Sequence, residues 1–346
     1  MFFASDNAGP THPAVMQALT EVNAGYMPSY GDDPVMTQVR DAMRDMFEAP
    51  NASVHLVATG TAANALALAT MTQPFQTVFC SPVAHIHEDE CNAPEFYMGG
   101  AKLTLVGDGD RITPDALRAA ILAEGNRGVH GPQRGPVSIT SVTERGTVYS
   151  VAEITALADL AHGFDLPLHL DGARFGNAIS ALGCAPAEMT WKAGVDTLSF
   201  GGTKNGCMGV EAVVFFNPEK AWEFELRRKR GGHLFSKHRY LSAQMQAYLA
   251  KDLWRDLAAQ ANARAAHLET GLRRIGADFL WQRDANMIFA TLPRAAHKRL
   301  FAAGAMYHLW DGDLHGPDDA PLGCRLVCDW SITEAQIDRF IDIAAG

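Results

Sequence analysis

A single lysine stands among four glycines in Phe200-Gly-Gly-Thr-Lys204-Asn-Gly-Cys-Met-Gly209, directly after a run of β-forming residues. An amine at a strand end inside an α/β domain is partly desolvated. Desolvation lowers its pKa and frees its lone pair for attack on a carbonyl. On context alone, a surface lysine in a glycine-rich loop is the commoner reading. The glycines match neither GxxxxGK[ST] nor GxGxxG, so a phosphate-binding P-loop is excluded.

Upstream stands Leu168-His-Leu-Asp171-Gly-Ala-Arg174. An aspartate closing a buried-looking strand lies where open α/β sheets bind ligands, although isolated aspartates at strand ends are often helix caps. With Lys204 on a neighbouring strand end, Asp171 and Arg174 suggest a site. A carboxylate there would hold a pyridinium proton, and the lysine would form an imine. Val57-Ala-Thr-Gly60-Thr61-Ala62-Ala63-Asn64 passes from strand to helix, and the free N–H groups of a helix start favour an anion. His85-Ile-His-Glu-Asp-Glu90 is the densest set of possible metal ligands. On a strand His85 and His87 would share a face. No metal motif supports it, and stacking of an imidazole on a flat cofactor competes with an ordinary polar loop. His130 is uninformative alone, and Arg227-Arg-Lys-Arg230 reads first as a solvated helix end.

These residues need a scaffold, and composition bounds it. The 346 residues are 47% apolar and 20% charged, a globular balance. A net charge of −10 argues against a nucleic-acid or anionic-membrane surface. No apolar run approaches the length of a membrane span, and the N-terminus lacks a secretory pattern. Six scattered cysteines, without CxxC spacing, read as buried thiols of a reduced, cytoplasmic compartment. Short β-rich runs from Val54 to Phe216 alternate with helical stretches such as Ala62–Met71, Pro114–Ala123 and Val151–His162. This alternation predicts an α/β domain with a mostly parallel sheet. After about Phe235 the rhythm changes to one long helical region, Tyr240–Ile275, then to strands and a last helix. The expected division is an N-terminal segment (1–25), a large domain (26–235) and a small α+β domain (236–346).

Ser5-Asp-Asn, Tyr30-Gly-Asp-Asp-Pro34, Gly60-Thr-Ala-Ala-Asn64, Asp171-Gly-Ala-Arg-Phe175 and Thr203-Lys-Asn-Gly206 occur in one order. In this the chain resembles the pyridoxal-phosphate-dependent threonine aldolases of the aspartate-aminotransferase-like fold (PLP fold type I), specifically the low-specificity L-type. The resemblance covers almost the whole chain. It implies a seven-stranded large domain and pyridoxal 5'-phosphate held by Lys204, with Asp171 on the ring nitrogen and His85 on the ring face. Gly60, Thr61 and Ala62 would offer N–H groups to the phosphate. Ser5, Arg174 and Arg325 would hold the substrate carboxylate, Arg174 also bordering the cofactor; Tyr30 and His130 would lie near the substrate's β-substituent. His85 and His130 are the general-base candidates. No resident metal is implied. Sites completed across a dimer interface, within a tetramer, are expected. Two departures stand out: Gly-Gly-Thr-Lys-Asn-Gly around the lysine, and Gly231-Gly-His-Leu-Phe-Ser-Lys237 after the basic run.

The implied reaction is aldol cleavage of L-threonine, L-allo-threonine or related β-hydroxy-α-amino acids to glycine and an aldehyde. A phenylserine preference, β-elimination or transamination would use the same Lys204 and Asp171. A non-catalytic binding protein is the remaining reading, and the intact Lys204, Asp171 and Arg174 argue against it.

Overall fold

The computed structural model describes all residues 1–346. Seven strands form the larger sheet: β1 (Ser53–Val57), β2 (Gln76–Cys80), β3 (Lys102–Leu105), β4 (Gln133–Thr140), β5 (Leu168–Gly172), β6 (Thr197–Gly201) and β7 (Glu211–Phe215). Their order is β1-β7-β6-β5-β4-β2-β3, and only β7 runs against the rest. β5, β6 and β7 are buried at every position, as expected of strands covered on both faces. This is the expected mostly parallel α/β sheet.

Four more strands make a second, antiparallel sheet in the order β10-β11-β9-β8: β8 (Asp278–Phe279), β9 (Met287–Pro293), β10 (His308–Trp310) and β11 (Pro321–Val327). Its core includes Phe3 from the far end of the chain, packed edge-on against Phe340 at 4.9 Å. The N-terminal segment therefore crosses to the second sheet, with Phe3 N–H donating to Met306 O and Val327 N–H to Phe3 O.

The long helical region from 240 to 275 is two helices, Arg239–Leu249 and Leu253–Arg274. Lys251 and Asp252, with φ of 55° and 57°, break the α pattern between them. Periodicity hid this break because apolar spacing continues through it. The first helix buries Leu241, Met245 and Tyr248 in the core of the larger sheet, and the second adds Trp254 there before Leu268 and Leu272 join the other core. None of the helices is long and apolar enough to cross a membrane.

Helix Gly60–Met71 is almost wholly buried, and its inward residues are mostly alanine. Small side chains let it lie close to the sheet. Its start is set by Thr59, whose Oγ1 accepts the Ala62 N–H at 3.2 Å.

β6 ends where it touches the loop after β5. A Cβ at Gly201 would stand 2.2 Å from Ala173 O and 2.6 Å from its carbonyl carbon. Backbone cannot yield by changing rotamer. Gly201→Ala is expected to destabilise by about 1–3 kcal/mol, seen as a lower urea midpoint. Gly60→Ala, whose Cβ meets nothing within 4 Å, should leave the midpoint near that of the parent. Equal midpoints for the two variants would contradict this account.

Candidate active site

Asp171 lies at the carboxyl end of β5, the central strand of seven, and is buried. Its Oδ1 accepts the Ala173 N–H at 3.0 Å, and its Oδ2 accepts from Asn64 Nδ2 at 2.8 Å. Asn64 sits one turn into the Gly60–Met71 helix, so the same helix presents its free start and holds Asp171. The second N–H of that amide donates to Glu90 Oε1 at 2.9 Å, and Glu90 Oε1 lies 2.8 Å from His85 Nδ1. A line of four side chains thus joins His85, Glu90, Asn64 and Asp171.

His85 opens a one-turn helix, His85–Glu88, rather than the strand on which it would share a face with His87. The short helix turns His87 to solvent and leaves His85 half-buried. Burial lowers the proton affinity of His85, but the hydrogen bond to Glu90 and the charges of Asp171, Glu144 and Glu90 outweigh it, so its pKa is raised.

Lys204 lies on a 3-10 turn, Thr203–Asn205, straight after β6. Asn205 anchors that turn: its Nδ2 donates to Tyr248 Oη and to Trp254 O, each at 2.7 Å. Gly206 follows with φ 102°, a conformation that favours glycine. Glu211, opposite Gly201 on β7, accepts the Gly202 N–H at 2.7 Å. Above the turn lies the N-terminal 3-10 turn Asp6–Ala8, and His12 N–H donates to Gly206 O. Ser5 caps it, its Oγ accepting the Asn7 N–H at 3.1 Å.

Arg174 is engaged differently from the expectation. Its Nε and Nη2 donate to Asp6 Oδ2 and Oδ1 at 2.7 and 2.9 Å, with both side chains almost fully buried. Asn286 Nδ2 adds a third donor to Asp6 at 3.1 Å. The Nε and Nη2 edge of the guanidinium is filled from within the chain, and Nη1 has no hydrogen-bond partner. Arg325, on β11, is paired with no carboxylate, and its Nη2 rests 4.0 Å from Met287 Sδ. Burial and the nearby Arg174 lower the proton affinity of Arg325.

Two expected residues are not gathered here. His130 is exposed in a short turn, Gly128–His130, just before β4 begins. Thr140, at the other end of that strand, is the residue that pairs with Asp171. An eight-residue strand spans roughly 25 Å, so His130 lies at the opposite edge of the sheet. Tyr30 is also exposed, its ring 4.6 Å from Lys229 Nζ and its N–H on Ser236 O. No hydrogen bond or ring contact joins it to the Asp171 group. Of the three N–H groups expected at an anion, that of Ala62 is taken by Thr59, leaving those of Gly60 and Thr61.

Sequence reasoning gave no role to Asp6, Asn64, Glu144 or Glu211, and met Glu90 only within the possible metal-ligand run from His85 to Glu90. Glu144, after β4, lies within electrostatic reach of Arg174, Lys204, His85 and Asp171, and burial raises its pKa. Only Asn64, one turn after Gly60, carried a readable signal.

Comparison with known proteins decides the family. Residues 3–295 match the beta-eliminating lyase family. A low specificity L-threonine aldolase of a Pseudomonas species is 39% identical over 337 residues, 97% of this chain and 94% of that protein. The chain belongs to the threonine aldolase family. Another low specificity L-threonine aldolase, from Pseudomonas aeruginosa, is 38% identical over 99% of this chain and 95% of that protein. The threonine aldolase of Leishmania major superposes with a TM-score of 0.92 at 24% identity, covering 99% of this chain and 98% of that one. Sphingomonas wittichii serine palmitoyltransferase gives 0.73 at 15% identity, covering 100% and 86%. This family member has the aspartate-aminotransferase-like α/β fold.

The residues fit pyridoxal phosphate. Gly60 has open space where a Cβ would stand, beside two unbonded N–H groups. Asp171, Lys204 and an imidazole converge on the same strand ends.

Two outcomes follow from the buried charges. Burial pushes the Asp6 carboxyl up, and the Arg174 guanidinium outweighs it, holding the pKa below its ordinary value of 3.8. The stability this pair adds is complete above 3.8 and is lost as pH falls through the lower folded value. Asp6→Ala strands a buried guanidinium, with an expected loss of about 3–5 kcal/mol in urea unfolding at neutral pH. Glu211 behaves oppositely: burial raises it to about 7. Its contribution is greatest below its ordinary 4.5 and declines as pH rises towards 7. Glu211→Gln should flatten the stability profile across that window, and a profile parallel to the parent's would overturn the assignment.

Proposed function

We propose that this chain is a pyridoxal-phosphate-dependent aldolase that cleaves L-threonine, L-allo-threonine and related β-hydroxy-α-amino acids to glycine and an aldehyde. Near-full-length identity of 38–39% to low specificity L-threonine aldolases carries the reaction. The convergence of Lys204, Asp171 and His85 carries the site.

In this reading Lys204 Nζ would hold the cofactor covalently. Asp171 would face the ring nitrogen and favour its protonated form, and the Gly60 and Thr61 N–H groups would bind the phosphate. When bound, pyridoxal phosphate supplies an electron sink for the charge left on Cα as the Cα–Cβ bond opens. Arg325, which has no carboxylate hydrogen-bonded to it, and Arg174 Nη1, which Asp6 leaves without a partner, would hold the substrate carboxylate. The Ser5 hydroxyl, whose oxygen accepts from Asn7, still has a proton to donate to the same carboxylate. Fixing that carboxylate fixes rotation about Cα, which is how positioning lowers the barrier. His85 takes the β-hydroxyl proton at Nε2 as the aldehyde carbonyl forms, and the imidazolium so formed returns a proton, directly or through water, to Cα to give glycine.

His130 and Tyr30 would then contribute to the site of a neighbouring subunit. A homodimer-based tetramer with shared sites fits their exposure and that of Phe96, Trp222 and Leu226. A cytoplasmic setting fits the six free thiols.

Incubation with L-threonine, L-allo-threonine and phenylserine, assayed for aldehyde plus glycine, tests the reading. Ammonia and a 2-oxo acid in their place would assign β-elimination. Lys204→Ala should abolish the visible absorption of bound cofactor. Arg325→Lys should lower kcat/KM by about 10-fold or more with that absorption intact, because an ammonium lacks the planar fork. Unchanged kinetics would return Arg325 to a structural role.

A further inference from the structure

Glu90 has no role in the reaction as derived so far, yet it is placed as a working group would be. Its side chain is fully buried, and one oxygen, Oε1, meets both His85 Nδ1 at 2.8 Å and Asn64 Nδ2 at 2.9 Å. The other, Oε2, is buried without a partner. Asn64 Oδ1 is likewise unpartnered, while its nitrogen serves two carboxylates, Glu90 and Asp171. Only an NH₂ group can satisfy two carboxylate acceptors, so the amide orientation is fixed by its neighbours. One Asn64 hydrogen therefore points at Glu90 Oε1. The proton between Oε1 and His85 then belongs to the imidazole in both charge states that leave Oε1 free to accept.

We propose that Glu90 is a positioning residue for His85. It accepts the Nδ1–H and so holds the imidazole in the tautomer whose Nε2 bears the lone pair, while Asn64 fixes the Glu90 carboxylate and ties it to Asp171. Rotation of His85 is restrained by the same bond. The proton balance is simple. The substrate O–H bond breaks, its proton moves to Nε2, and the Nδ1 proton stays where it is, now shared with a carboxylate that stabilises the imidazolium. The charged groups facing His85 are Glu90, Asp171 and Glu144. Only Glu90 is hydrogen-bonded to it. This proposal rests on His85 being the base of the aldolase reading.

The test is the imidazole ¹⁵N spectrum of full-length protein labelled at histidine, recorded with and without pyridoxal phosphate. The His85 signals are assigned by their loss in His85→Asn. At a pH above the His85 titration, the parent should show a protonated Nδ1 and an unprotonated Nε2. In Glu90→Gln the His85 midpoint should fall by at least about one pH unit, because an opposite charge has been removed. Its single-tautomer signature should also be lost, since an amide both donates and accepts. Asn64→Ala should move the same signals the same way by less. The acidic limb of kcat/KM should follow the midpoint, with kcat/KM down about 10- to 100-fold, and Glu90→Asp should restore part of both. A parent spectrum with the proton on Nε2 would overturn the proposal. So would a Glu90→Gln protein with unchanged tautomer and midpoint. The parent spectrum decides alone should the variant fail to fold. Failure of the parent to release aldehyde would sink the aldolase reading instead, and leaves the spectral result standing.

Discussion

An ionised carboxylate buried at the end of the central strand is costly unless donors surround it, and Asp171 imposes that condition on the fold. The chain meets it with one backbone N–H and one amide, both at hydrogen-bonding distance. The amide arrives because the Gly60–Met71 helix is alanine-rich where it faces the sheet, bringing Asn64 to 2.8 Å. A larger residue at Ala63 or Ala67, both fully buried, would push the helix away and take Asn64 with it. Core packing and site electrostatics are therefore one requirement. The same helix start leaves the Gly60 and Thr61 N–H groups free, so a single close approach sets both ends of the candidate cofactor site.

Rigid support of Lys204 comes from the opposite direction. Four elements meet at its turn: β7 through Glu211, the Arg239–Leu249 helix through Tyr248, the Leu253–Arg274 helix through Trp254, and the N-terminal segment through His12. Tyr248 Oη also donates to Gly201 O. The covalent role proposed for Lys204 would need a fixed backbone and a mobile side-chain end. Here the neighbours are buried while Lys204 itself is only half-buried.

The sheet was legible because buried strands and amphipathic helices alternate at periods the chain displays openly, and strand ends flagged Asp171 and Lys204. What escaped was whatever depended on pairing between distant residues. Asp6 and Arg174 are 168 positions apart, and neither sequence context marks a bidentate pair. The break at Lys251 was invisible because it needs two left-handed residues and no change of hydropathy. His130 was placed by resemblance alone; strand direction puts it at the wrong end of β4 for its own Asp171. His85 was found by residue type, but its geometry depends on Glu90, which the sequence offered only as one of a run of possible metal ligands or as part of a polar loop.

The two arginines differ in how their charge is balanced. Arg174 is almost completely buried and neutralised by Asp6, which suits a group that must stay put. Arg325 is half-buried, beside that pair, and has a thioether for its nearest polar contact. Burial and Arg174 oppose its charge and outweigh the carboxylates of Asp6, Glu144 and Asp89, so it carries a net electrostatic cost. A ligand carboxylate arriving at Arg325 would relieve that cost, whereas one arriving at Arg174 would meet a guanidinium already neutralised by Asp6 and bind through Nη1 and the second Nη2 hydrogen. Affinity gained by relieving an existing penalty needs no rearrangement of the protein. Asp6 would thus bear on recognition indirectly: by neutralising Arg174, it leaves Arg325 as the neighbouring guanidinium without a carboxylate hydrogen-bonded to it.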